Sequence, residues 1–270
     1  MKKHLSTILL ILIFVIGLSL LLYPTFADWW NSMHQSYAIA NYDAAMANLK
    51  DEDYTHLFAE AEEYNERIKA IDFPLMYHED VPGYYDILDV SGTGIIGYID
   101  IDKIGVELPI YHGTSEGVLQ IAVGHLEGTT LPIGGIGNHA ALSAHRGLPS
   151  ARLFTDLDKM ELGDTFTITV LDRLLTYEVD QILIVEPHDV DALYPVEGED
   201  LVTLVTCTPY GINSHRMLVR GHRIENAEEV RVVRVTADAV QIEPVIVAPF
   251  VAAPMLLVLL ILLMIPKKKK

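Results

Sequence analysis

The 270-residue sequence contains a single cysteine, Cys207. An internal disulfide is therefore excluded, and the thiol is a buried hydrophobic group, an intermolecular link or a reactive nucleophile. The histidines and this cysteine also lack the spacing that metal ligands require, so we predict no metal and no cofactor. In an exported protein a spare thiol is a liability, which favours the nucleophile.

Charge is absent from two long stretches of the sequence. Residues 5–27 and 244–266 contain no charged side chain, and each stretch reaches the roughly 20 apolar residues that cross a bilayer. Lysines precede the first stretch and four lysines follow the second, and such clusters stay in the cytoplasm. The pattern predicts a membrane helix at each end, with the intervening chain outside the cell. A cleaved signal peptide is the alternative for the first stretch, since Thr25-Phe26-Ala27 resembles a cleavage site.

Basic residues are scarce between the two apolar stretches. Six of the 19 lysines and arginines are lysines at the termini, whereas all 37 acidic residues lie between Asp28 and Glu243. The resulting negative field disfavours the phosphate backbone of a nucleic acid as a partner. A simpler interpretation of the acidic surface is solubility.

The spacing of apolar residues changes along the exterior part of the chain. Between residues 28 and 70 they recur every three or four positions, which predicts helices. Proline and glycine punctuate residues 71–93, which predicts an extended loop. From Ile95 onward short runs alternate between apolar and polar residues, which predicts a closed β-barrel. Within this region we expect one short helix from Ser150 to Leu157.

Cys207 ends a predicted strand. Residues 203–207 have the composition of a strand, the following residues indicate a turn, and residues 215–220 are predicted to return beside the first strand. Cys207 and Arg216 would then be neighbours across the hairpin. A guanidinium beside a thiol suits acyl transfer, because it can bind the developing oxyanion. The alternative is that Arg216 pairs with a surface acid.

A thiol nucleophile also needs a base or a proton donor. Five histidines fall within or at the ends of predicted strands: His125, His139, His145, His215 and His222. His139 and His145 share one face of the same strand, because side chains alternate along a strand. Composition and alternation do not choose among the five.

Two motifs resemble those of the sortase family. Thr-Leu-Val-Thr-Cys-Thr-Pro-Tyr-Gly at residues 203–211, followed by His-Arg-Met-Leu-Val-Arg-Gly at 215–221, resembles the sortase cysteine signature. Ser-Ala-His-Arg-Gly-Leu-Pro at 143–149 resembles the segment that carries the sortase histidine. The similarity spans about residues 95–224, and the order of histidine, cysteine and arginine matches. The long loop and the second apolar stretch resemble class C, the pilin-polymerising sortases.

The resemblance implies a fold and a set of residue roles. The fold is mainly β: an eight-stranded sortase-type β-barrel with N-terminal helices and a transmembrane helix at each end. Cys207 is the expected nucleophile, His145 the acid/base and Arg216 the oxyanion or substrate-positioning residue. Thr206 is expected to support the substrate beside the thiol.

The resemblance also implies a reaction. The expected enzyme cleaves a Leu-Pro-x-Thr-Gly-like sorting signal, forms a thioacyl-enzyme and transfers it to a pilin lysine amine, without a cofactor. The partners are then pilins or surface proteins that carry the signal, an amine acceptor and the membrane, but no nucleic acid. One alternative is a sortase that anchors surface proteins to the cell wall through a wall-precursor amine. An alternative of another class is a non-catalytic exported binding module.

One feature of class C enzymes is missing. Their lid usually carries an Asp-Pro-aromatic motif over the cysteine, and this tripeptide does not occur here. Asp72-Phe73-Pro74 has the same residue types in another order. Asp72 and Phe73 are therefore the candidate lid residues, and a plain linker is the alternative.

These predictions divide the chain into eight parts. They are a cytoplasmic N-terminus (1–4), a transmembrane anchor (5–27), an extracellular helical segment (28–70), a candidate lid (71–93), the catalytic barrel (94–225), a linker (226–243), a transmembrane helix (244–266) and a cytoplasmic basic tail (267–270). The predicted location is the cell membrane, with the catalytic domain extracellular and both termini cytoplasmic.

Overall fold

The computed structural model describes residues 2–226, with side chains from residue 7 onward. The predicted second membrane helix, the basic tail and all but the first residue of the predicted linker lie outside these residues. The helices are α1 (Lys2–Met46), α2 (Asp51–Lys69), α3 (Pro74–Tyr77) and α4 (Glu116–Leu119). The strands are β1 (Ile95–Ile101), β2 (Val106–His112), β3 (Val123–His125), β4 (Asn138–Ser143), β5 (Thr165–Val170), β6 (Arg173–Val185), β7 (Asp200–Thr208) and β8 (His215–Ile224). Short 3-10 helices cover His78–Asp80, Tyr84–Asp86, Asp102–Ile104, Leu157–Lys159 and Asp191–Leu193.

The eight strands close into a barrel, which confirms the predicted eight-stranded barrel. Their order around the barrel is β1, β2, β3, β4, β7, β8, β6, β5 and back to β1. The pairs β2–β3 and β4–β7 are parallel, and the other pairs are antiparallel. Strands β4 and β7 therefore finish at the same end of the barrel, where β6 also finishes and β8 begins. We call this the β4–β7 end.

Helix α2 closes the opposite end of the barrel. Its buried residues recur every three or four positions and join the barrel core: Phe58, Ala61, Tyr64 and Ile68. The amide of buried Asn65 exchanges two hydrogen bonds with the backbone of Leu131, which lies between β3 and β4. Burial of this apolar stripe, rather than intrinsic propensity, is what stabilises such a helix.

Helix α1 is continuous through the predicted boundary at Ala27. It is the one helix among the described residues that is long and apolar enough to cross a membrane, by length and composition, and no residue of its most apolar window is buried. Beyond Asp28 the helix packs along the barrel. There Ile39 and Tyr42 are buried against Ile95 and Tyr98 of β1.

Residues 71–93 are not the extended loop predicted from their prolines and glycines. They form α3 and two 3-10 turns before β1 begins. Pro74 occupies the first turn of α3, where its missing N–H costs nothing and its fixed φ suits the helix. The prolines therefore start short helical turns here instead of excluding them.

The predicted helix at Ser150–Leu157 is also absent; only a 3-10 turn begins at its end. Leu153 adopts a left-handed φ of 41°, which a helix does not allow. The backbone N–H groups bond elsewhere: that of Arg152 donates to the Asp28 carboxylate at 2.8 Å, and that of Phe154 donates to the His145 carbonyl at 3.1 Å. The Phe154 bond replaces the one that a helix capped at Ser150 would make to the Ser150 carbonyl.

Candidate active site

Cys207 and Arg216 lie directly opposite each other on β7 and β8. The predicted hairpin is thus confirmed. Directly opposed residues in an antiparallel pair have Cβ atoms about 5 Å apart, so the thiol and the base of the arginine side chain are adjacent. Cys207 is half-buried and its thiol is free. The only thiol of the chain therefore lies at the β4–β7 end, partly open to solvent.

His145 follows β4 at the same end of the barrel. The last register pair of the parallel β4–β7 ladder is Ser143 with Val205, and the amide of Ala144 still donates to the Val205 carbonyl at 3.2 Å. His145 and Cys207 each lie two residues beyond that pair. The register of this ladder therefore leads both residues to the β4–β7 end, where His145 Nε2 lies 3.9 Å from a carboxylate oxygen of Glu116, at the start of α4.

His139, the other candidate on that face, lies at the far end of β4. It pairs with Leu201, six residues before Cys207, which corresponds to about 20 Å along the strand. Its ring is buried between the Tyr194 carbonyl at 2.9 Å and the Thr203 hydroxyl at 2.7 Å. Burial lowers the pKa of His139 and so favours the neutral ring. His139 is a structural residue that bonds the β6–β7 connection to the barrel.

The guanidinium of Arg216 is held by backbone carbonyls. Its Nη1 donates to the carbonyl of Asn213 at 3.3 Å and to that of His215 at 3.1 Å. Among residues 7–226 Arg216 forms no ion pair, so the surface-acid alternative finds no support in this part of the chain. A guanidinium has five N–H donors, and several remain for a substrate carbonyl or an oxyanion.

The Thr206 side chain lies on the other face of β7 from Cys207. Side chains alternate along β7, so Thr206 points into the barrel and is only 2% exposed. Its hydroxyl donates to the Ala144 carbonyl at 2.8 Å. Thr206 therefore fixes the backbone immediately before His145, and its support of the substrate beside the thiol stays a prediction.

Arg146 was not singled out from the sequence, although it follows His145 in the motif. Its side chain is 9% exposed and forms an ion pair with Asp158. It also lies 3.5 Å from the Thr208 hydroxyl, and its guanidinium sits 6.0 Å from the Tyr210 ring. Arg146 thus ties the loop that carries His145 to the residues that follow Cys207.

The candidate lid residues line a cavity of about 340 Å³ rather than contacting Cys207. Asp72, Phe73 and Leu75 form one wall, and Leu193 and Tyr194 of the β6–β7 connection form another. Phe73 is 64% exposed, so its ring does not fill an apolar groove in this structure. Leu75 instead packs against an apolar cluster on the outer face of the barrel.

That apolar cluster leads toward the thiol. Its buried members are Ala141, Leu193, Val205 and Leu218, with Leu75 and Leu126 packed on them. Val205 lies on the same face of β7 as Cys207, two residues earlier. Just beyond Leu126, Gly128 approaches the backbone of Pro74 and Leu75 so closely that a Cβ would lie 2.6 Å from the Pro74 carbonyl. Leu75 therefore sits in a groove along the outer face of β4 and β7.

Hydrogen bonds of Tyr84 fix the C-terminal half of residues 71–93 to the barrel. The Tyr84 hydroxyl lies 2.8 Å from His125 Nδ1 and accepts the N–H of Gly113 at 2.9 Å. On the other side of the ring, Nε2 lies 2.8 Å from the Thr130 carbonyl. His125 is fully buried, and desolvation lowers its pKa to about 4.

Acidification is expected to weaken the fold through His125. Because its pKa is depressed in the folded state, the unfolded chain binds the extra proton between about pH 6.5 and pH 4, and stability falls as pH falls through that window. Thermal unfolding of the full chain should show this slope. The His125→Gln variant should have a shallower slope between the two pH values. An equal slope in both proteins would contradict this assignment.

Comparison with known proteins agrees with the geometry. A family model described as the sortase domain matches residues 99–224. Sortase C1 from Streptococcus agalactiae is 48% identical, the similarity covers 71% of this chain and 100% of that chain, and the TM-score is 0.65. Sortase C from Streptococcus pneumoniae is 43% identical, with 70% and 97% covered and a TM-score of 0.63. Both solved structures are of class C sortases.

Curated relatives are more distant. Sortase SrtE1 from Streptomyces coelicolor is 28% identical over 77% of this chain and 54% of its own length. Sortase A from Streptococcus agalactiae is 32% identical over 42% of this chain and 47% of its own length. This chain thus spans about half the length of these two relatives. From the shared domain, the closed barrel and the solved structures covered in full, we conclude that the chain belongs to the sortase family of cysteine transpeptidases.

Proposed function

We propose that this protein is a pilin-polymerising sortase. It cleaves a Leu-Pro-x-Thr-Gly-like sorting signal and transfers the resulting acyl group to a lysine amine of a pilin. The observation that carries the proposal is that Cys207 pairs with Arg216 across β7 and β8 and shares the β4–β7 end of the barrel with His145. The similarity to sortase C1 supports the pilin assignment.

The acylation step follows from the three side chains. The thiolate of Cys207 attacks the threonine carbonyl of the signal, and the oxygen becomes negatively charged. Arg216 donates hydrogen bonds to this oxyanion. The carbon–nitrogen bond then breaks, and His145 gives its proton to the leaving glycine amine. A thioester on Cys207 remains.

The second step determines what the enzyme makes. A neutral amine attacks the thioester, an amide forms, and the thiolate of Cys207 leaves. His145 accepts the proton of the attacking amine, since it gave its own proton away in the first step. A pilin lysine is the proposed acceptor. A wall-precursor amine is the alternative, and it would make the enzyme a wall-anchoring sortase.

A trapping experiment tests the proposal. The full chain in detergent is mixed with a sorting-signal peptide, and the intact mass is measured. The expected result is an added acyl group on Cys207 that disappears when an amine is supplied. A lysine-bearing pilin peptide should discharge the thioester faster than an oligoglycine amine. The opposite preference would favour the wall-anchoring alternative.

The non-catalytic binding module makes a different prediction. If Cys207 is only a buried hydrophobic residue, its alkylation rate should not respond to His145. In the proposed enzyme, replacing His145 should change the rate of Cys207 alkylation, because the two groups act together in the reaction. Identical alkylation profiles, together with no acyl-enzyme, would support the binding module.

Arg216→Lys is expected to lose most activity although it keeps the charge. A guanidinium presents a planar fork of donors, whereas an ammonium is a single point charge. Loss of one oxyanion donor costs about 3 kcal/mol, or roughly a hundredfold in kcat. Turnover of the sorting peptide measures the effect, with Arg220→Lys on the same strand as a matched control. Near-normal turnover of folded Arg216→Lys would reduce Arg216 to a structural role.

We also propose that residues 71–93 form a lid over the groove that leads to Cys207. One solved structure similar to this chain is described as a lid mutant of sortase C1 from Streptococcus agalactiae; it is 44% identical over 70% of this chain and 98% of that chain, with a TM-score of 0.65. Here Leu75 occupies the apolar cluster next to Val205, where the apolar part of a signal would pass. Phe73 is exposed and is not part of this apolar cluster, so it contributes less than Leu75 to covering the groove.

The lid is tested by the rate at which a bulky reagent alkylates Cys207. Leu75→Ser removes an apolar contact of about 1–2 kcal/mol, so the open fraction and the alkylation rate should rise about tenfold. Replacing Asp72 and Phe73 together with alanine should also raise the alkylation rate of Cys207, but by less than Leu75→Ser. Met76→Ser, at an exposed neighbour, is the control. If Leu75→Ser leaves the rate unchanged, the segment is a linker.

The proposed location follows from α1. Residues 5–27 anchor the protein in the cell membrane, and the barrel lies on the extracellular side, where sorting signals are exposed. The apolar stretch at 244–266 would return the chain to the cytoplasm. Protease treatment of intact cells should remove an epitope placed at Gly198 but spare one at the N-terminus.

A further inference from the structure

Helix α1 changes from a free helix to a packed one at Asp28. Its uncharged part, up to Ala27, is largely exposed, whereas from Asp28 onward it bonds repeatedly to the barrel. The first polar contact with the barrel thus coincides with the end of the apolar stretch. If 5–27 crosses a bilayer, as proposed above, the barrel begins at the bilayer surface.

The contacts along α1 fix the direction in which the barrel points. Near the apolar part, the Asp28 carboxylate accepts the N–H of Arg152 at 2.8 Å, and Asn31 donates to the Ser150 carbonyl at 2.8 Å. Far from it, the Tyr42 hydroxyl accepts the N–H of Leu171 at 2.9 Å. Fourteen helical residues span about 21 Å. The two sets of contacts therefore fix the orientation of the barrel relative to the axis of α1.

The topology then decides which end faces the apolar helix. Leu171 follows β5, which finishes at the end opposite to the β4–β7 end. Ser150 and Arg152 lie in the loop that follows β4, and therefore at the β4–β7 end. The end that carries Cys207, His145 and Arg216 is thus the end nearest to the apolar segment.

The loop that follows β4 is bonded to His145, the proposed acid/base. The Phe154 N–H donates to the His145 carbonyl at 3.1 Å, and the Gly147 N–H donates to the Thr155 hydroxyl at 3.1 Å. Residues 145–155 therefore form one compact loop. The Asp28 carboxylate at the helix exit and the His145 carbonyl bond to residues two positions apart in this loop, Arg152 and Phe154.

Aromatic and basic side chains lie close to Asp28 and to the loop after β4, and their types suit the headgroup layer of a bilayer. Phe26, Trp29 and Trp30 cluster where α1 meets the loop, with the Phe26 ring centroid 5.6 Å from that of Trp29. Tryptophan is enriched at membrane–water interfaces. Beyond them, Arg152 is 67% exposed and Lys159 is 63% exposed, and each pairs with the carboxylate of Asp156. The N–H donors that these ion pairs leave unused can bond to phospholipid phosphates.

We propose that the β4–β7 end of the barrel rests on the phospholipid headgroup layer, through the loop of residues 148–159, and that α1 holds the active site at that height. This rests on the proposed membrane anchoring of α1. The active site then faces the bilayer and reaches a sorting signal only where the signal lies close to its own membrane anchor. The length of chain between signal and bilayer becomes a determinant of substrate choice.

Depth-dependent quenching tests the orientation. In the full chain with Cys207→Ala, a fluorophore is attached through Pro149→Cys, or through Val196→Cys in the loop before β7 at the opposite end. The protein is reconstituted into phosphatidylcholine–phosphatidylglycerol vesicles with a nitroxide on the headgroup. Quenching at position 149 is expected to exceed that at 196 several-fold. Equal quenching, or stronger quenching at 196, would overturn the proposal. Lys159→Cys is the substitute if Pro149→Cys does not fold.

A length-compensation experiment tests the consequence. An insert of about seven helical residues between Ala27 and Asp28 adds about two turns, which raises the barrel by roughly 10 Å with little rotation. Cleavage of a vesicle-tethered substrate with a short spacer should fall at least about tenfold, and a spacer longer by about three extended residues should restore it. Cleavage of a soluble peptide should not change. Unchanged cleavage of the short-spacer substrate would refute the height requirement, whereas failure of the wild type on the soluble peptide would refute the proposed function instead.

Discussion

Cys207→Ala is expected to abolish both cleavage of the signal and transfer to an amine. The thiolate supplies the covalent step, and no second cysteine exists in the chain to replace it. Loss of a nucleophile in a catalytic set commonly costs at least about four orders of magnitude in kcat. Product formation and the acyl-enzyme mass are measured on the same sample of the full chain.

The matched control is Cys207→Ser, which keeps a hydroxyl of similar size at the strand end. It should also be inactive, because an alcohol is far less ionised than a thiol and the proposed role of His145 is to protonate the leaving amine rather than to deprotonate the nucleophile. Both variants should unfold at nearly the wild-type temperature, since the half-buried thiol forms no disulfide. A thioester-like adduct or product in folded Cys207→Ala would refute the cysteine mechanism.

The β7–β8 hairpin was predictable because its information is local. A strand, a turn with proline and glycine, and a returning strand follow one another within about 20 residues, and the register of Cys207 with Arg216 follows from their distance to the turn. Side-chain alternation would also have placed Thr206 on the face opposite to Cys207. This placement of the Thr206 side chain could be inferred from the sequence, although the resemblance to a family drew attention to a role beside the substrate instead.

The choice of histidine was not predictable from alternation, since it depends on a non-local parallel pairing. His139 and His145 share a face of β4, and only the register with β7 separates them: His139 opposes Leu201, whereas His145 continues toward Cys207. Parallel strands are joined by long connections, so no turn fixes their register. The prediction of His145 therefore came from the family motif around it and not from strand periodicity.

The loop after His145 shows the same limit. Its sequence has a cap and inward apolar residues typical of a short helix, yet the structure has turns. Leu153 has a left-handed φ, and the N–H of Phe154, which a helix capped at Ser150 would bond to the Ser150 carbonyl, donates to the His145 carbonyl instead. The Asp28 carboxylate, more than a hundred residues earlier in the chain, takes the N–H of Arg152 in this arrangement. Local propensity is a weak prior when tertiary contacts fix the backbone in another way.

His145→Ala is expected to be nearly as severe as loss of the thiol. General acid–base catalysis contributes about 10²–10⁴ to the rate, and both proposed steps move a proton through this ring. Turnover of the sorting peptide and the acyl-enzyme mass should both fall. Chemical rescue by added imidazole would restore part of the first step, because a free imidazole can supply the proton that the missing ring gives to the leaving amine.

Two further histidines serve as matched controls for His145. His139→Ala removes the bonds to Tyr194 and Thr203, so it should lower stability by about 1–3 kcal/mol while the folded fraction keeps most of its kcat. His215→Ala is the stricter control, because His215 opposes Thr208, one residue from the thiol. Its ring faces the Ser214 hydroxyl, and activity should persist. Greater loss at His215 or His139 than at His145, in folded proteins compared at equal concentration, would mean that another histidine is the acid/base and that the continuing β4–β7 register does not bring His145 to Cys207.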